Sequence, residues 1–142
     1  MTTASRSVPR PKVHLVDGTY ELFRHFFGQP RRRNDAGREV AAVSGVLRSM
    51  LSMLASGATH IGVATDHVIE SFRNDMWPNY KSSQGVDPEL LGQFGLFEDG
   101  LAAIGVKVWA AVELEADDYL ASAATWGFGD PAIEQIVLCT PD

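Results

Sequence analysis

Apolar residues recur along this chain with two different periods, and the periods take turns. Short runs rich in β-branched residues stop at Gly, Pro or an acid: Lys12 to Asp17-Gly18, Ile61-Gly62-Val63-Ala64 within 58–66, Val106 to Val112, and Gln135 to Thr140. Each predicts a buried strand. Between them the apolar residues fall at helical spacing. These stretches are Thr19–Phe27, Glu39–Ala55 closed by Gly57, Glu89–Ile104 started by Pro88, and Ala116–Trp126 turned at 127–131. The third carries its stripe on Leu90, Phe94, Phe97, Leu101 and Ile104, with Gly92, Gly95 and Gly100 weakening its regularity. Segments 28–38 and 67–88 follow neither period and read as loops, and residues 1–11 read as a flexible leader.

Strands alternating with helices imply right-handed crossovers and an α/β fold, a mainly parallel sheet flanked by helices on both faces. Ligands of such sheets bind beyond the carboxyl ends of the strands. That rim is where the acids fall. Asp17 ends the first strand, Asp66 the second, Glu115, Asp117 and Asp118 follow the third, and Asp142 follows the fourth. Helix capping accounts for one or two of them, but four successive strand ends ask for more. Two like charges about 4 Å apart repel by roughly 4 kcal/mol at an effective dielectric of about 20. A hard divalent cation, Mg²⁺ or Mn²⁺, relieves that repulsion with oxygen ligands, and two such ions suit phosphodiester hydrolysis.

Composition narrows the alternatives. The chain has 142 residues, 45% hydrophobic and 21% charged, the profile of one globular domain. No apolar run is long enough for a membrane span, and residues 1–11 lack the apolar core of a signal peptide. With one cysteine, Cys139, the expected location is the cytoplasm. Net charge is −6, from 12 basic and 18 acidic residues, which excludes coating nucleic acid by bulk charge but allows a local basic cluster. His14 and His25 have no second His or Cys at a ligand spacing and read as ordinary strand and helix residues.

The loop at 67–88 is longer than compact domains use without a purpose. It offers Arg73 for a phosphate, Lys81 as a nearby cation, and Phe72, Trp77 and Tyr80 for stacking on an unpaired base. Phe72 and Trp77 are read first as core residues, and Arg31-Arg32-Arg33 as solvated loop charge.

Several of these pieces together resemble the N-terminal part of the 5′-3′ exonuclease and flap endonuclease family, as found in the 5′-nuclease domain of bacterial DNA polymerase I. They are Leu15-Val16-Asp17-Gly18, Ala42-Val43-Ser44-Gly45, Asp66 with Ser71-Phe72-Arg73, Tyr80-Lys81, and, most specific, Glu115-Ala116-Asp117-Asp118-Tyr119-Leu120-Ala121-Ser122. Their order and spacing hold over about 12–142. The resemblance implies a PIN-like (resolvase-like) fold over 12–142 and a Mg²⁺- or Mn²⁺-dependent nuclease acting on 5′ ends and flaps of DNA, with a polymerase in the same pathway. It implies that Asp17, Asp66, Glu115, Asp117, Asp118 and Asp142 form the metal site. It makes Arg73 and Lys81 the pair at the scissile phosphate, with Tyr80 beside the terminal base and Arg24 as a further phosphate contact.

The sequence also departs from the family pattern. Val112-Glu113-Leu114 stands where a glycine-containing turn is usual, and Gln84-Gly85 where a basic residue is usual. A further aspartate, more helices and a DNA clamp are expected beyond Asp142, so the chain reads as C-terminally truncated. A non-catalytic nucleic-acid-binding domain of the same fold is the alternative. A receiver-like phosphoacceptor domain also gathers acids at strand ends but has no use for the loop at 71–85.

Overall fold

A computed structural model describes residues 7–142. Four strands, β1 (Lys12–Asp17), β2 (His60–Asp66), β3 (Lys107–Ala111) and β4 (Gln135–Cys139), form one parallel sheet in the order β3-β2-β1-β4. The chain steps outward from β1 to β3 and then returns to the far side of β1. Its direction therefore reverses between β1 and β4, the place where open α/β sheets leave a crevice at their carboxyl ends.

Helices α1 (Gly18–Gly28) and α2 (Ala41–Ala55) connect β1 to β2. The β2–β3 connection holds α3 (Arg73–Met76), α4 (Pro88–Leu91) and α5 (Phe94–Ala103), and α6 (Ala116–Phe128) connects β3 to β4. The alternation of strand side chains divides the interior in two. Val16 and Val63 face a large core built with Leu22, Phe26, Val46, Met50, Phe97 and Leu101 from α1, α2 and α5. Leu15 and Ala64 face a smaller one under α6, with Ala116 and Leu120. Asp17 and Asp66 share the parity of Leu15 and Ala64, so the two-residue repeat puts both acids on the α6 side of the rim.

The expected helix 89–104 is broken. Gly92 and Gln93 separate α4 from α5, and the buried Gln93 side chain donates to Glu89 O and accepts from Val43 N–H, competing with the helix backbone. The expected loop 67–88 contains the short helix α3. Helix α2 starts at Ala41 rather than Glu39. Glu39 is buried and accepts from the N–H groups of Arg32 and Ala41, tying the preceding loop to the helix start.

Arg31, Arg32 and Arg33 are exposed, as solvated loop charge would be, and each also has a partner within the fold. Arg31 lies over the Phe26 ring and donates to Phe26 O, Arg32 donates to Ser44 Oγ, Arg33 pairs with Glu89, and Arg38 donates to Gly92 O. The arginines act as tertiary staples between α1, α2 and α4. Phe72 and Trp77 depart from their expected core role, being 40% and 63% exposed. Residues 1–6 of the expected leader lie outside the described residues. Its last two are fastened, since Arg10 donates to the carbonyls of Pro131 and Ile133, and Pro11 O accepts from Glu134 N–H.

Gly18 sets how closely α1 leaves the rim. A Cβ there would stand 2.5 Å from Val63 Cγ1 and 2.9 Å from Ala64 O, and the backbone oxygen has nowhere to go. Gly18→Ala is expected to lower stability by about 1–3 kcal/mol, read as a lower urea midpoint with unchanged slope.

Candidate metal and phosphate site

Beyond the carboxyl ends of β1, β2 and β4 lies a cavity of about 240 Å³ lined by Asp17, Thr19, Tyr20, Phe23, Asp66, Lys81, Asp117, Pro141 and Asp142. Four of the six expected acids therefore share one wall. Each of the two strand-end acids also caps a helix. Asp17 Oδ1 accepts from Tyr20 N–H at the start of α1 (2.9 Å), and Asp66 Oδ1 accepts from Ala116 N–H at the start of α6 (2.9 Å). Capping uses one oxygen of each, where a helix N-terminus favours negative charge, and leaves the second oxygen for the cavity. Thr19, which sequence reasoning missed, helps to hold this arrangement by accepting from Asp66 N–H through its hydroxyl.

Glu115 and Asp118 are absent from that wall and stand behind it. Glu115 is buried and nearly saturated: Ser71 Oγ donates to Oε1 at 3.2 Å, Lys81 Nζ lies 3.1 Å from Oε1, and Arg73 Nη1 donates to Oε2 at 2.7 Å. Asp118 takes both terminal nitrogens of Arg73, Nη1 at 2.9 Å and Nη2 at 2.8 Å, and accepts from Glu115 N–H. Arg73 is thus committed to carboxylates, with Phe72 lying 4.6 Å from its guanidinium carbon. Tyr80 is exposed beside Lys81. Arg24 sits away from the cavity wall, on the exposed side of α1, paired with Glu21.

Asn74 folds the 67–87 loop so that Arg73 and Lys81 reach the same glutamate. Its Oδ1 accepts from Ser71 N–H, and its Nδ2 donates to the carbonyls of Lys81 and Pro78. The only sequence signal for that role was an Asn in a polar loop, where such residues bond to nearby backbone.

Charge balance explains the titration pattern. Burial pushes Asp17 up to about 6, and the charges of Asp117 and Asp66 add to the push against the lowering contact from Tyr20 N–H. Asp117 is raised by burial and by Asp142. Burial works against the Lys81 ammonium, but Asp66 and Glu115 outweigh it and hold the proton on. The Arg73 hydrogen bonds keep Asp118 below the usual carboxylate range. Six carboxylates here face two cations, and the surplus negative charge lies on the cavity wall.

The donors at this wall are hard oxygens, with neither His nor Cys among the lining residues, which suits Mg²⁺ or Mn²⁺. Among the described residues, no group of three or more His, Cys, Asp or Glu side chains is arranged to hold a metal ion as it stands. Lys81, 3.8 Å from Asp66 Oδ2, supplies part of the counter-charge instead.

Residues 12–142 match the family model of the 5′-3′ exonuclease N-terminal resolvase-like domain. The chain belongs to this family. Among curated relatives of this resolvase-like domain, DNA polymerase I of Mycobacterium tuberculosis (strain ATCC 25618 / H37Rv) is 33% identical over 132 residues, covering 88% of this chain and 15% of the polymerase. The 5′-3′ exonuclease of Bacillus subtilis (strain 168) is 32% identical over 119 residues, 80% of this chain and 40% of that protein. DNA polymerase I of Geobacillus stearothermophilus is 35% identical over 115 residues, 80% of this chain and 13% of the polymerase. The chain thus spans 13–40% of the length of these relatives.

The raised Asp17 makes a measurable mark on the stability of this domain. Between its ordinary 3.8 and about 6 the folded state keeps a proton that the unfolded chain has released, so native stability falls as pH rises through that window. In chelator, Asp17→Asn is expected to be more stable than the parent at pH 7.5 by on the order of 1–2 kcal/mol. Urea titrations at pH 7.5 and pH 4 check this, the gain shrinking at the lower pH.

Proposed function

We propose that this chain is the carboxylate-bearing core of a divalent-metal-dependent 5′-3′ deoxyribonuclease acting on 5′ ends and flaps of DNA. The observation that carries the reading is the single cavity at the strand-order reversal, where Asp17, Asp66, Asp117 and Asp142 meet a protonated Lys81. Membership in the exonuclease family supports it. The four acids would hold Mg²⁺ or Mn²⁺, which when bound activates water and neutralises charge on a phosphodiester.

The chain's own residues do the rest. Lys81, kept cationic by Asp66 and Glu115, is a hydrogen-bond donor for a non-bridging phosphate oxygen and is unsuited to act as a base. Exposed Tyr80 and Trp77 present rings beside it on which an unpaired terminal base can stack. Thr19 and the α6 N-terminus hold Asp66 in place. Because relatives extend far beyond the matched stretch, we further propose that other segments add substrate grip and that the chain alone turns over slowly. A DNA polymerase is the natural partner in the same pathway.

A second reading has one observation in its favour. The acids are not closed round a common point, as in a domain that binds nucleic acid without cutting it.

Incubating the chain with a labelled 5′-flap DNA and Mn²⁺ separates the two. The nuclease reading expects cleavage that chelator abolishes, that Asp117→Asn removes, and that Lys81→Ala lowers about 10²–10³-fold, the usual loss for an electrostatic donor at a reacting oxygen. Salt-dependent DNA binding that is indifferent to chelator, with no cleavage, supports the second reading.

A further inference from the structure

Arg73 and Lys81 are neighbours on one loop and are both basic, yet the structure gives them different positions. Lys81 lines the cavity; Arg73 does not. Arg73 turns both terminal nitrogens inward, to Glu115 Oε2 at 2.7 Å and to the two oxygens of Asp118 at 2.9 and 2.8 Å. The Phe72 ring lies against it, 4.6 Å from its guanidinium carbon. The acceptor Glu115 is only 4% exposed. For Arg73 to leave it for a phosphate would strand a buried carboxylate short of its strongest partner, a costly exchange.

The far oxygen of the same glutamate holds Lys81, with Nζ 3.1 Å from Oε1. Glu115 is therefore gripped on one side and grips on the other. Asp118 closes the arrangement by accepting from Glu115 N–H at 2.9 Å, so that backbone and side chain of Glu115 are both fixed.

We infer that Arg73 is a positioning residue and not a phosphate contact: with Asp118 it locks Glu115, which in turn seats the Lys81 ammonium at the cavity. Asp118 accordingly serves Arg73, outside the set of acids on the cavity wall. The inference rests on the nuclease reading for its activity readout but has a binding readout of its own.

The test uses Arg73→Gln, Arg73→Lys, Asp118→Asn and Lys81→Ala in the full chain, with thermal melts confirming that each folds. Flap-DNA affinity is measured against salt in chelator, and cleavage in Mn²⁺. A residue that neutralises a phosphate contributes about 0.9 to the salt slope. Lys81→Ala is expected to lower the slope by about that much, and Arg73→Gln to leave it unchanged. Cleavage by Arg73→Gln is expected to fall about 10–100-fold through kcat with KM held, the usual effect of losing a partner that orients a site ligand. Arg73→Lys is expected to fail as rescue, since a point charge cannot reproduce the fork onto two carboxylates. Asp118→Asn, which keeps the Arg73 charge, is expected to lose kcat without changing the slope. Combining Arg73→Gln with Lys81→Ala is expected to cost little more than Lys81→Ala alone.

A slope reduced by Arg73→Gln as much as by Lys81→Ala, rescue by Arg73→Lys, or multiplicative losses in the double variant would overturn the inference. Should Arg73→Gln not fold, the slope and kcat of Asp118→Asn decide. The parent reading fails separately, on wild-type cleavage that ignores chelator or Asp117→Asn.

Discussion

Mutual repulsion among carboxylates at the carboxyl ends of the strands is the constraint around which the rest of this molecule is built. Charges of one sign drawn into a half-buried cavity would oppose folding if nothing met them. The fold meets them in two ways. Helix N-termini accept Asp17 and Asp66 as caps, and two cations from one loop accept Glu115 and Asp118. What is left over is concentrated on the cavity wall, where Asp17 remains raised to about 6. Strongly shifted carboxylates of this kind cluster at functional sites.

The capping and metal-binding explanations of a strand-end acid are often treated as rivals. Here the two are compatible, because capping occupies a single oxygen of each carboxylate. Asp66 shows it most clearly: Oδ1 takes the first N–H of α6, and Oδ2 looks toward Lys81. The helix start fixes the rotamer, so the second oxygen is aimed before any ligand arrives. Such pre-orientation is what a site needs if it is not to spend binding energy ordering its own side chains.

The loop at 67–87 shows how a polar segment without periodicity acquires a definite shape. Val68 and Phe72 bond to the carbonyls of Ala111 and Glu113, anchoring its start beside β3. Asn74 then closes its turn, and the Arg73 and Lys81 ion pairs draw it over the rim. With its polar groups used inward, Trp77, Met76 and Tyr80 are left exposed.

The sequence by itself determined the order of elements and the parallel sheet, because periods of two and 3.6 and the Gly, Pro and acidic stops are local properties of the chain. The strand-end acids were legible for the same reason. Tertiary structure alone decided which acids share a wall. Asp117 and Asp118 are adjacent in sequence, yet one step along α6 sends Asp117 to the cavity and Asp118 to Arg73. Nor could periodicity show that β4 returns beside β1, bringing Asp142 to Asp17, or that the exposed arginines of 31–33 also staple helices. These outcomes depend on strand order and on partners distant in sequence, and no local pattern carries that information.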